Sequence, residues 1–336
     1  KLIKGYNFAL PGTGPWNIKL TRIELDSSSQ YLQNDLYFES LSAIVDGNSS
    51  YPMTALIGVA CNANQFTSIP KVTADWYGRI ISVPANYDPI ARTYATTGTG
   101  TTAGTWDGTF KSAWSDNPAW VFYDMVTNNL FGCGLTTGAP DKWLLYQIAQ
   151  YCDVMVSDGV GGMEPRFTCS VNIESRDEAI KVIGYLASIF RGSAYWAGGS
   201  VMPIQDKDEV PSAQFTNSNV VDGKFAYTSS AKPARHTACI VKYNDPTNSY
   251  ESTPLLIQDN DAVARYGYNP LEVVAYGCSS RGQASRLGLM ALTTELSQTE
   301  GIKFSTAMEG IALRPGKIIK VHDAFRFGKR FGGRVM

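Results

Sequence analysis

The chain predicts an α+β fold in which β-rich, barrel-like domains flank a small α+β domain. Three observations carry this. Residues 166–206 read as one strand–helix–hairpin unit, two helix signatures stand just before it, and short apolar or alternating runs dominate both flanks. The boundaries that follow are 1–90 for a first β-rich domain and 91–116 for a Gly/Thr-rich loop or arm. Residues 117–212 form the small α+β domain, and 213–336 form a second β-rich, barrel-like domain with one helix.

The central unit is the clearest. Phe167 to Ile173 alternates apolar and polar residues, as a strand does. Ser175 offers an N-cap with Glu178 in the capping-box position. Val182, Ile183, Leu186, Ala187 and Phe190 make one apolar helical stripe, and Gly192 stands where a C-cap glycine belongs. Tyr195-Trp196 and Val201-Met202 flank Gly198-Gly199 as a β-hairpin. Upstream, Asn117 caps a helix with Pro118 at its first position. Asp141 begins a second helix with Trp143, Leu144, Ile148 and Ala149 on its apolar side. Asp158 to Gly162 is a turn.

On the N-terminal side, Asn17–Leu25, Tyr37–Val45, Ala55–Cys61 and Arg79–Val83 read as strands, the last closed by Pro84. Thr93–Phe110 is rich in Gly and Thr and reads as a surface loop or irregular arm. On the C-terminal side, strands are expected at Phe215, Phe225, Tyr227, His236–Tyr243, Leu255–Ile257, Val273–Cys278, Ile302–Ala307 and Ile318–Val321. Ser280 and Gln283 open a helix striped with Ala284, Leu287, Ala291, Leu292 and Leu296.

Bulk composition narrows the function. A net charge of −1 argues against a dedicated nucleic-acid binder, which is clearly basic. Only 18% of residues are charged, and there are 18 tyrosines, a mixture that suits a chain packed among neighbours. No apolar run reaches bilayer length, so stable membrane insertion is not expected. The chain opens on Lys1 without a secretory signal and stops at Gly332–Met336, which reads as another strand beginning. Further sequence is expected on both sides. The six scattered cysteines include no CxxC pair. They read as buried free thiols rather than zinc ligands or disulfides.

No chemistry assembles. The two histidines, His236 and His322, sit at strand ends, where a local hydrogen bond is their ordinary use. Asp107, Asp116, Glu164, Asp206 and Asp208 are the carboxylates open to a glycosidase-like pairing, and loop carboxylates are usually solvated. Gly159-Val160-Gly161-Gly162 lacks the full dinucleotide spacing, and Met163-Glu164-Pro165 breaks any following helix. The Gly/Thr arm lacks the Lys-Ser/Thr of a phosphate loop. Lys317, Lys320, Arg326, Lys329, Arg330 and Arg334 read as a solvated face or as salt-bridging groups. No catalytic residue, metal site or cofactor is expected.

Five stretches, in order, resemble the tail tip attachment protein J family of lambda-like phages: DNPAWVFYDMVTNNLFGCGL (Asp116–Leu135), EPRFTCSVNIESRDEAIKVIGYLASIFRGSAYWAGG (Glu164–Gly199), FTNSNVVDGKFAYTSSAKPARHTACIVKYNDP (Phe215–Pro246), VARYGYNPLEVVAYGCSSRGQASRLG (Val263–Gly288) and LRPGKIIKVHD (Leu313–Asp323). The resemblance runs roughly from Ala55 to Val335. It implies a tail-hub-like structural virion protein of the tail tip or baseplate. Three copies would ring the tail axis, close the tube and join a distal receptor-binding fibre.

The partners it implies are further copies of the chain and other tail tip and tail tube proteins, assembled in the host cytoplasm, with DNA passing only transiently. The family's fibronectin-like domains and receptor-binding tip are expected to lie outside this chain. Trp106 and Trp114, in the irregular arm, are the candidate interface residues, whereas Trp120 and Trp196, inside regular elements, are expected in the core. No Lys/Arg cluster is expected to face the ring axis. Two alternatives stand beside this reading. One is a phage-associated glycan-binding or glycan-degrading module, marked by an exposed Trp/Tyr groove with two carboxylates. The other is a secreted adhesin domain, which requires disulfides.

Overall fold

The computed structural model describes residues 74–336 apart from 174–177, 230–234 and 327–329, together with scattered residues between 9 and 72. The chain divides into two units, Lys1–Thr73 and Ala74–Met336. The described residues of the first unit lie outside regular elements. Its expected strands fall partly or wholly outside the described residues, as does Cys61.

The second unit opens with β1 (Ile80–Pro84), followed by two small hairpins: β2 (Tyr87–Asp88) with β3 (Thr93–Tyr94), and β4 (Thr101–Thr102) with β5 (Thr105–Trp106). β6 (Phe110–Trp114) then returns antiparallel to β1. The Gly/Thr arm is therefore folded. Gly100 shows why this composition is needed. Its φ is +79°, and a Cβ there would lie 2.6 Å from the Ala85 Cβ, so only glycine fits the turn against its neighbour.

Two helices follow, α1 (Pro118–Thr127) and α2 (Lys142–Asp153). Asn117 caps α1 by accepting from the Ala119 N–H, and Asp141 caps α2 by accepting from the Trp143 N–H. Such caps contribute about 1 kcal/mol each. The hairpin β7 (Met155–Ser157) and β8 (Met163–Pro165) turns at Asp158, whose carboxylate accepts from the Val160 and Gly162 amides.

Phe167–Ile173 forms no strand. The alternation is real, since Phe167 and Cys169 are buried. The hydrogen bonds, however, go to separate partners: Cys169 N to Asp116 O, Ser170 N to Gly277 O, and Thr168 N to the Gln283 side chain. α3 (Ala179–Ile189) begins at Glu178, which makes no side-chain cap bond; Ser175 is outside the described residues. Its stripe buries Ile183, Leu186, Ala187 and the following Phe190 as expected. The left-handed residue after the helix is Arg191 (φ 58°), while Gly192 already begins a strand. β9 (Gly192–Ala197) and β10 (Ser200–Gln205) form the expected hairpin, turning on Gly198 and Gly199.

One continuous core joins these elements. Ile81, Val83 and Tyr87, from the stretch assigned by sequence to the N-terminal domain, pack with Trp120, Phe122, Leu145, Leu186 and Phe190.

The remaining chain builds two smaller cores. β11 (Ala213–Thr216) is followed by β12 (Ala226–Ser229), β13 (Ala238–Asp245), β14 (Glu251–Gln258), α4 (Asn260–Tyr266), β15 (Pro270–Val274), α5 (Arg281–Ser297), β16 (Glu300–Lys303), β17 (Ile318–His322) and β18 (Arg330–Arg334). β13 sits between antiparallel β14 and parallel β15, and α5 covers this sheet with Ala284 and Leu292 buried. A Cβ on Gly288 would lie 2.4 Å from Ile257 Cδ1, so glycine lets helix and sheet meet closely. β17 pairs parallel with β11 and antiparallel with β18 over Phe215, Val220, Ile319 and Val321.

Helix α4, capped by Asp259, adds to the one helix expected in this part. Its seven residues are too few for a clear apolar stripe. Among the described residues every sheet has two or three strands and none closes into a barrel. No helix of the described residues is long and apolar enough to cross a membrane.

Candidate functional site

The arm, residues 91–116, carries both candidate interface residues, and they have different environments. Trp106 is 2% exposed. Its ring stacks on Tyr146 at 5.0 Å and meets Phe110 edge-on at 5.2 Å and Trp120 at 5.9 Å. Its Nε1 donates to the Thr109 carbonyl, and Lys142 Nζ lies 5.7 Å from the ring. Trp106 is therefore a core anchor within this chain. The glycine turns around it carry it onto α1 and α2.

A buried polar network holds the arm beside that cluster. Asp153 accepts from Arg92 at 2.8 Å, Tyr94 at 2.6 Å and Asn117 at 2.9 Å. Arg92 also donates to both oxygens of Asp116 at 2.5 and 2.6 Å. Burial pushes the Tyr94 and Tyr87 hydroxyls well above their ordinary range, and the Asp153 charge raises them further. The charges of Arg92, Asp116 and Asp153 are paired with one another, as buried charge requires.

Trp114 differs. β1 and β6 pair Ile80 with Trp114 and Ile81 with Ala113. Ile81 points into the core, so its neighbour Ile80 points out and is 64% exposed. Trp114 is half-buried, and Tyr77 meets its ring edge-on at 5.2 Å. Arg79 ion-pairs with Asp124 and lies 4.7 Å over the exposed Phe131 ring, with exposed Leu130 beside it. Tyr77, Ile80 and Trp114 thus place apolar and aromatic surface together on the outer side of β1 and β6. Faces of this kind mark association surfaces.

The other tryptophans part company as well. Trp120 is fully buried, but Trp196 is 59% exposed. It stands on a two-stranded hairpin and packs over Gly138. Membership of a regular element does not imply core when the sheet has only two strands.

The carboxylates singled out by sequence do not converge on a site. Asp116 is paired with Arg92, Glu164 with Arg286 and Ser280, and Asp206 with Arg334. Asp107 caps its own turn through Thr109, and Asp208 is exposed. His236 Nδ1 lies 2.8 Å from Glu295, while the His322 Nδ1 is buried without a hydrogen-bond partner among the described residues.

Among the described residues, no group of three metal-ligating side chains occurs, and Cys133, Cys152, Cys169, Cys239 and Cys278 are free thiols. Burial raises all five thiols, Cys278 to about 11, which makes them poor nucleophiles. Lys317, Arg326 and Arg334 of the basic C-terminal stretch pair with Glu209, Glu300 and Asp206.

One cavity of about 280 Å³ between α2, β10 and residues 314–317 combines Trp143 and Tyr195 with Asp141 and Glu209. Trp143 was expected on the apolar side of α2, yet it is 48% exposed. Both carboxylates have structural duties. Asp141 caps α2, and Glu209 pairs with Lys317 at 3.2 Å. The cavity offers an aromatic wall and polar rim suited to binding rather than an acid–base pair.

Comparison with known proteins points to phage tails. Residues 178–336 match Phage-tail_3, a family of phage tail proteins. Residues 2–47 match the FNIII-A domain of tip attachment protein J, so a fibronectin-like module expected outside the chain falls within it. The chain is 39% identical over 328 residues to tip attachment protein J of Escherichia phage SECphi27, covering 95% of this chain and 26% of that protein. It is 37% identical over 327 residues to tip attachment protein J of Escherichia phage SECphi4, covering 96% of this chain and 28% of that protein.

Solved structures are more distant. A tail protein from Neisseria meningitidis MC58 has 12% identity and a TM-score of 0.34, over 48% of this chain and 49% of that one. The 43 kDa tail protein of prophage MuSo2 from Shewanella oneidensis has 14% identity and a TM-score of 0.34, over 48% and 50%. These likenesses are too slight to carry an argument. The sequence matches are not, and the chain, spanning about a quarter of the length of these curated relatives, belongs to the tip attachment protein J family of phage tails.

Proposed function

We propose that this chain is a structural, non-enzymatic component of the phage tail tip or baseplate hub. Three copies form a ring around the tail axis, close the tube and connect to a distal receptor-binding fibre. The observation that carries this reading is similarity to tip attachment proteins along nearly the whole chain. The apolar surface of Tyr77, Ile80 and Trp114 supports it, because a closed ring needs a heterologous contact repeated at each junction. The chain resides in the virion tail tip after assembly in the host cytoplasm, contacts other tail tip and tail tube proteins, and inserts stably in no membrane. DNA passes through transiently during ejection, so no Lys/Arg cluster faces the axis.

Light scattering behind a sizing column tests the ring. A trimer that Trp114→Ala converts to monomer supports it. A monomer at every concentration removes the ring contact from these residues.

A second reading is favoured by the Trp143/Tyr195 cavity: a glycan-binding module. Saturable binding in a glycan screen, lost in Trp143→Ala, would support it. A screen without hits would leave the hub alone.

A further inference from the structure

A second cavity of about 280 Å³ lies where the end of α3, the end of β15 and the first turns of α5 meet residues 166–167. Its lining contains three guanidiniums, Arg166, Arg191 and Arg286, and no carboxylate. The remaining wall is largely apolar, with Ile189, Val273 and Leu287 among its residues. Each of the three arginines has a buried Nε without a hydrogen-bond partner among the described residues.

Their charges are unevenly balanced. Arg286 is held by Glu164 at 2.6 Å. Arg191 comes only within 3.9 Å of Asp206, which Arg334 already holds at 2.5 Å. Arg166 stacks on Tyr151 at 4.3 Å and has no ion pair among the described residues. Arg286 also donates to the Ser157 and Arg166 carbonyls, so the under-compensated charge at the cavity is that of Arg166 and Arg191, and among the described residues no carboxylate lines it to balance them. The apolar wall disfavours a fully hydrated anion and suits a hydrocarbon stem.

We infer that this cavity binds a carboxylate carried on an aliphatic stem. The carboxylate accepts from Arg166 and Arg191, whose planar forks match it, and the stem lies against Ile189, Val273 and Leu287. Two sources share that chemistry: the C-terminus of a partner chain ending in an aliphatic residue, and a small organic acid. The inference does not depend on the ring reading, since it concerns a cavity within one copy.

Isothermal titration of the full chain tests it with 4-methylpentanoate, 4-methylpentanamide, inorganic phosphate, and acetyl-Gly-Gly-Leu with a free or amidated end. Both acids are expected to bind and both amides to fail. Arg191→Gln is expected to weaken acid binding by about tenfold or more, with an unchanged melting profile. Tighter binding of the peptide acid assigns the site to a chain end, and tighter binding of the free acid assigns it to a small molecule. Equal binding of acid and amide, preference for phosphate, or no saturable binding of either acid overturns the proposal. Should Arg191→Gln not fold, the acid–amide contrast on the unaltered chain decides the matter.

Discussion

Trp106 and Trp114 belong to the same arm yet serve opposite ends. Trp106 is carried by glycine turns into the aromatic core over α1 and α2, with its indole N–H satisfied. Trp114 ends the strand paired with β1 and shares a surface with Tyr77 and Ile80. The difference teaches that a tryptophan in an irregular, low-complexity stretch is not thereby a surface residue. What matters is whether the turns bring it over an apolar layer. Stability should depend on one end of the arm and association on the other.

The largest test of that division is Trp106→Ala. It should cost about 3–5 kcal/mol in denaturant unfolding, as deletion of a buried aromatic does. A loss as small as a surface substitution's would break the comparison. Next comes Arg92→Ala, which strips Asp116 and Asp153 of their shared partner and should cost about 3 kcal/mol. Gly100→Ala probes the turns themselves. Its positive φ and the close approach of Ala85 predict a loss of about 1–3 kcal/mol by thermal or chemical melting.

Trp114→Ala sharpens the other side. It should change monomer stability by no more than about 1 kcal/mol while abolishing self-association in light scattering. A large stability loss with association unchanged would move Trp114 into the core class.

The smallest effect concerns pH. Hydrogen bonds from the Thr109 hydroxyl and amide hold the Asp107 carboxyl below the usual carboxylate range. A depressed folded value means that its contribution is complete above about pH 4 and is lost as pH falls through the folded value. Amide exchange at Thr109 should therefore speed up in acid, and Asp107→Asn should abolish that pH dependence.

Much of the local structure follows from neighbouring residues alone. Asn117-Pro118, Asp141 and Ser280 start helices where expected because a cap is a contact between residues two or three apart. The Gly198-Gly199 hairpin and the stripe of α3 were legible for the same reason: turn conformation and helical period are written in neighbouring residues. Family membership was legible too, through five ordered stretches.

The rest depends on contacts between distant parts of the chain. Phe167–Ile173 has the burial rhythm of a strand, but its hydrogen-bond partners come from Asp116, Gly277 and Gln283, far away in the chain. The same limit hid the fate of the tryptophans and the three arginines that line one cavity from separate elements. Alternation and capping report what a residue's near neighbours allow. Which side chains meet across the fold is set by how separate elements pack, and a core or a binding cavity exists only at that level.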